Sequence, residues 1–141
     1  MSKLHEANAV IWCWVLAATI VFFVASCGVV HAEVIKDEDA VRAIIGEASG
    51  EGLEGMRCVA SAIRNRGTLK GVYGLKAKHV NKQPKWVWKL ARQAWRDSAS
   101  KDFAYGASFW EGTSFKKPYW AKDMILVKTV KNQNFYKERN K

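Results

Sequence analysis

The stretch Ile44-Ile45-Gly46-Glu47-Ala48-Ser49-Gly50-Glu51-Gly52, followed by Glu54-Gly55-Met56-Arg57-Cys58-Val59-Ala60-Ser61-Ala62-Ile63-Arg64-Asn65-Arg66, decides how the chain is read. Just upstream, Asp37-Glu38-Asp39 puts acids where the first turn of a helix leaves its N–H groups unpaired. Val41, Ile44, Ile45 and Ala48 then recur at i, i+3, i+4 and i+7, which is one apolar face of a helix. Gly50 and Gly52 break that helix. Met56, Val59, Ala60 and Ile63 repeat the spacing, so a second helix is expected from about Glu54 to Arg66, with Gly67 as its stop.

Further along the period weakens. Thr68 to Gln83 is lysine-rich and reads as a loop. Pro84 opens a third helix to about Asp97, because proline suits a first turn. Val87, Leu90, Ala91 and Ala94 are its apolar stripe. Ser98 to Asp102 reads as a linker. Gly106 to Trp110 suggests a short strand, and Met124 to Val130, rich in β-branched residues, suggests another. The expected fold class is α+β, mainly helical: a small domain with a short β element.

Charge divides the chain in two. Of residues 1–32 only Lys3 and Glu6 are charged, so the body at 33–141 holds the whole net charge of +10. Such a charge attracts polyanions: nucleic acid, anionic lipid or cell-wall polymer. Ala9 to Val30 is uncharged, and three readings fit it. Val30-His31-Ala32 suits cleavage of a secretory signal after Ala32. The run also has the length of about 20 residues that an uncleaved membrane anchor through residues 9–30 needs. Val24-Ala25-Ser26-Cys27 looks like a lipoprotein box. All three export the body to the periplasm, envelope or exterior, which argues against nucleic acid and for the wall. Cys58 would be the body's lone cysteine, so a packed, inert thiol is expected there. His79 is the body's lone histidine. No metal site, cofactor or Ser-His-Asp arrangement is therefore expected.

Glu47 falls beside the first helix's apolar stripe, near its end. A carboxyl group there loses water, and desolvation favours its protonated form. That suits proton donation to a glycosidic oxygen. Glu51, four residues on, would share its face if the helix continued. Gly50 interrupts it, so Glu51 instead orients a loop or caps the second helix. From spacing alone, Glu47 fits a surface glutamate as well as an acid.

At this point the residues resemble a known family, the spore-cortex-lytic (SleB-type) cell-wall hydrolases. That family opens with Gly-Glu-Ala-Arg-Gly-Glu and then a helix ending in Asn-Arg. Asp102-Phe103-Ala104-Tyr105-Gly106-Ala107-Ser108-Phe109 resembles its Asp-x-Thr-x-Gly-Ala-x-x-Phe segment, and Phe135-Tyr136 its closing His-x-Phe-Tyr segment. Ser49 stands where the family often has Arg, and Gln133 where it often has His. The resemblance implies a lysozyme-like fold and cleavage of peptidoglycan glycan strands between N-acetylmuramic acid and N-acetylglucosamine, by a lytic transglycosylase or a muramidase. It makes Glu47 the general acid and gives Glu51 a supporting role.

Aromatic rings cover the apolar faces of sugars. Trp95 is expected in the core, with Trp86 or Trp88. Trp110, Tyr119 and Trp120 fall in stretches without a helical period and are candidates to line a groove. Tyr105 could hydrogen-bond the glycan or Glu47. The rival reading is a non-catalytic basic module that binds wall polymer or nucleic acid.

Overall fold

Three α-helices and a three-stranded antiparallel sheet, joined by short 3-10 turns, make up residues 34–114 and 116–139, those described by the computed structural model. The export segment read at 1–32, with Cys13 and Cys27, lies outside the described residues. Among the described residues, no helix is long and apolar enough to cross a membrane.

Helix α1 spans Asp37–Ala48 and buries Ala40, Val41, Ala43, Ile44, Ile45 and Ala48, the stripe its spacing predicts. Its acidic first turn has a second use: Asp37 Oδ1 accepts the Trp95 indole N–H at 2.7 Å. Helix α2 spans Gly52–Arg66, starting two residues earlier than the apolar spacing indicates. It ends as expected at Gly67, whose φ of 72° is left-handed and whose N–H bonds back to Ile63 and Arg64. Helix α3 spans Lys85–Asp97 with Pro84 at its N-cap, and buries Val87, Ala91, Ala94 and Trp95. Of the other two tryptophans near that helix, Trp88 is half-buried and Trp86 is 60% exposed.

The three helices pack on one another, and α2 also meets the sheet. Arg57 ties α2 to α3 through Asp97, with Nη2 to Oδ2 at 2.6 Å. Buried Ser61 on α2 accepts the Phe103 N–H at 3.0 Å, which anchors the segment leading to the sheet. Asp102 organises that segment. Its carboxylate accepts the N–H groups of Ala104 at 2.8 Å and Gly106 at 2.6 Å.

The sheet has the order β1-β3-β2, with β1 at Phe109–Gly112, β2 at Met124–Val130 and β3 at Gln133–Glu138. β2 lies where its β-branched run predicts. β1 starts three residues later than read, because residues 106 to 108 are spent in the turn that Asp102 closes. Trp110, read at the end of the short strand, sits inside β1. β3 is central and pairs with both others; Trp110 faces Phe135 across one ladder and Val130 faces Gln133 across the other. Phe135 is fully buried and carries the sheet into the helical core.

Thr68 to Gln83 holds two short 3-10 turns, Tyr73–Lys76 and Lys78–Lys82. The first crosses α1 backbone to backbone. A Cβ on Gly46 would lie 2.0 Å from the Gly74 carbonyl oxygen, and one on Gly74 would lie 2.7 Å from the Ala43 oxygen. Real Cβ atoms never approach so closely, so only glycine fits on either side of the crossing. Gly46→Ala is expected to destabilise the domain by about 2 kcal/mol or more, since backbone cannot yield as a side chain can. Helix propensity alone would give the opposite sign, about 1 kcal/mol in favour of alanine. Gly50→Ala, with open space around its Cβ, is the control and should stay within about 0.5 kcal/mol of the parent. Urea unfolding of the three proteins measures both.

Candidate functional site

Glu47 stands one residue from the end of α1, beside the Gly46–Gly74 crossing. That contact brings the Gly74 N–H to Glu47 Oε1 at 2.6 Å. From the sheet, the Trp110 indole Nε1–H reaches the other oxygen, Oε2, at 3.1 Å. A third donor, Gln133 Nε2, binds the main-chain oxygen of Glu47 at 2.6 Å. Three segments far apart in sequence thus hold Glu47, two through its half-buried carboxyl group and one through its main chain.

The carboxyl opens on a groove of about 410 Å³ lined by Glu47, Arg66, Gly71, Val72, Tyr73, Phe109, Trp110, Glu111, Gly112, Trp120 and Gln133. One wall is aromatic. Trp120 packs between Phe109, at 5.8 Å between ring centroids, and the edge-on ring of Tyr136, at 5.7 Å. The Arg66 guanidinium covers the Phe109 ring at 5.5 Å. Opposite, the turn carrying Gly74 presents Tyr73, which is 88% exposed. An open groove with flat rings and a few fixed polar groups suits a sugar polymer better than an enclosed small molecule.

The structure thus gathers Glu47, Trp110 and Trp120 at one place. It does not gather the other residues singled out by sequence. Glu51 does not line the groove: the helix breaks after Ala48, and its Oε2 instead accepts the Asn132 N–H at 3.2 Å, in the turn between β2 and β3. Its position opens α2, without a capping bond from its side chain. Tyr105 lies off the groove, in a left-handed conformation at φ 53°, with its exposed ring 5.5 Å from Lys128 Nζ. Tyr119 neighbours Trp120 but is 91% exposed and does not line the groove.

Sequence reading missed Arg66, Tyr73, Gly74, Phe109 and Glu111, and noted Gln133 only as a departure from a pattern. Tyr73-Gly74, an aromatic beside a glycine in a lysine-rich loop, is the one local hint. Among the described residues, no group of three or more His, Cys, Asp or Glu side chains is arranged to hold a metal ion.

The fold resembles that of the catalytic domain of the Bacillus cereus SleB protein, known from a crystal structure. The likeness covers 74% of this chain and 94% of that one, with a TM-score of 0.55 and 20% sequence identity. No protein-family model matches the chain, and no curated protein does.

Cys58 is buried away from the groove, its Sγ donating to the Phe103 oxygen at 3.4 Å. Burial pushes its thiol above the ordinary range, against the pull of nearby Lys128. Thiolate is the reactive form, so iodoacetamide at about pH 8 should label Cys58 at least about tenfold more slowly in the native protein than in urea. Mass-spectrometric mapping of the Cys58 peptide checks this; equal rates would mean an accessible thiol.

Proposed function

We propose that this domain is an exported peptidoglycan-cleaving glycosidase in which Glu47 is the general acid and base. The observation that carries the reading is Glu47 itself, a carboxyl group held through both oxygens at the floor of an open aromatic groove. The motif resemblance around residues 44–66 and the fold likeness both point the same way. Residues 9–30 serve in this reading as the export segment, and the basic body draws the enzyme to an anionic wall.

The bond cut is that between N-acetylmuramic acid and N-acetylglucosamine. Glu47 gives its proton to the glycosidic oxygen as the C1–O bond breaks, leaving a hydroxyl on the departing sugar. The muramic acid C6 hydroxyl attacks C1 and gives its proton to the Glu47 carboxylate. The product ring is a 1,6-anhydro sugar and the acid is regenerated. One carboxyl group suffices, because the nucleophile comes from the substrate. Phe109, Trp110 and Trp120 supply flat surfaces for sugar rings, and Trp110 also orients the acid.

A second reading rests on Glu111. Its side chain lines the same groove, and its Oε1 accepts the Gly112 N–H at 3.1 Å. A second carboxylate allows water to be the nucleophile, as in glycosidases that use paired acids. The two readings differ in product and in the residue required.

Glu47→Gln keeps the size of the side chain and removes its acid. It should lower release of soluble muropeptides from purified peptidoglycan by at least about a hundredfold; an unchanged rate would rule Glu47 out. Mass spectrometry of the muropeptides distinguishes anhydro from reducing ends. Anhydro ends with an active Glu111→Gln variant support the first reading. Reducing ends that disappear in Glu111→Gln support the second. A non-catalytic wall-binding module would release no muropeptides at all.

A further inference from the structure

Gln133 opens β3 in the middle of the sheet, opposite Gly112 on one side and Val130 on the other. It is only 7% exposed. The main-chain oxygen it binds belongs to the last turn of α1, where helix carbonyls lack a partner four residues on. Neighbouring carbonyls are closed locally, Ile45 by the Ser49 N–H and Ala48 by the Glu51 N–H. For Glu47 the donor comes instead from a strand 86 positions along the chain. The orientation of the amide follows, since the reverse one would set two oxygens against each other. In this orientation Gln133 Oε1 is buried and meets no donor among the described residues.

An apolar side chain of the same length would leave the Glu47 carbonyl without this donor. We propose that Gln133 is a positioning residue, which pins the main chain of Glu47 to the sheet that carries Trp110. Gly74 and Trp110 direct the carboxyl oxygens, but direction is fixed only if the start of the side chain is fixed as well. Gln133 fixes it, and does so from the strand paired with Trp110, so acid and indole keep one spacing against the sugar. The inference rests on the reading of Glu47 as the acid. Misplacement of a reacting group by about 1 Å costs about a hundredfold in rate.

Gln133→Met keeps the length of the side chain and removes both polar atoms. Its melting temperature should fall by a few degrees at most and stay well above the assay temperature, since only the bond to the Glu47 carbonyl is lost. Its kcat on purified peptidoglycan should fall at least about tenfold, with KM within about twofold. In NMR spectra the indole N–H of Trp110 should shift, while that of Trp95, held by Asp37, should not. Gln133→His, which restores an N–H donor, should recover most of kcat. A parental kcat with an unmoved Trp110 resonance would overturn the proposal. So would a fall in melting temperature that accounts for the loss of activity. If Glu47→Gln keeps the parental rate, the reading of Glu47 falls and this proposal with it. If Glu47→Gln is inactive and Gln133→Met is fully active, only the role of Gln133 falls.

Discussion

The crossing of Gly46 and Gly74 is the constraint on which the rest of the site depends. Two backbones touch there, and neither accepts a side chain. The contact does two things at once. It seats the 73–76 turn against α1, and it aims a main-chain N–H at the Glu47 carboxyl. A side-chain donor would lose rotamer freedom on making that bond, whereas a main-chain donor held by close packing has little left to lose. The same crossing sets Tyr73 on the rim of the groove that Glu47 opens on.

The opposite side of Glu47 is built by the sheet. β1 supplies Trp110 and β3 supplies Gln133, and the ladder between them fixes their spacing. The helices take little part in the groove apart from ending near it. Their work is to bury Ile44, Ile45, Val59 and Ile63 and so give the crossing and the sheet a fixed base. Glu51 belongs to that base. By accepting the Asn132 N–H it ties the start of α2 to the turn from which β3 departs.

Helices were legible because their cores are periodic. The apolar stripes read at i, i+3, i+4 are buried except for Leu90, which is half-buried, and the stop at Gly67 and the start at Pro84 lie where local chemistry puts them. β3 was not legible. Its residues Gln133, Phe135 and Tyr136 are buried while Asn134 is half-buried, so two buried residues stand side by side and no alternation appears. Its polar first residue is buried for a reason found 86 positions away. Glu47 could be singled out because its motif is contiguous. Trp110 could be read as a groove residue but not as a partner of Glu47, and Gly74 and Gln133 not at all, because the three become partners only when distant segments meet. Tyr105, read as a hydrogen-bonding group, and Tyr119, read as a ring of the groove, are not among the residues that line it, and Tyr105 stands on a left-handed backbone.

The order of the strands has a bearing on how the protein matures. β1 pairs with no strand but β3 among the described residues. Until β3 is docked, Trp110 has no ladder to hold it and the carbonyl of Glu47 has no amide. Helices with local contacts form early, and pairings between distant segments come late. The helices can therefore form around Glu47 before its groove has a sheet to close it. β3 couples two tasks, pairing with β1 and supplying the amide for the Glu47 carbonyl, so the groove takes shape in one late step and not piece by piece.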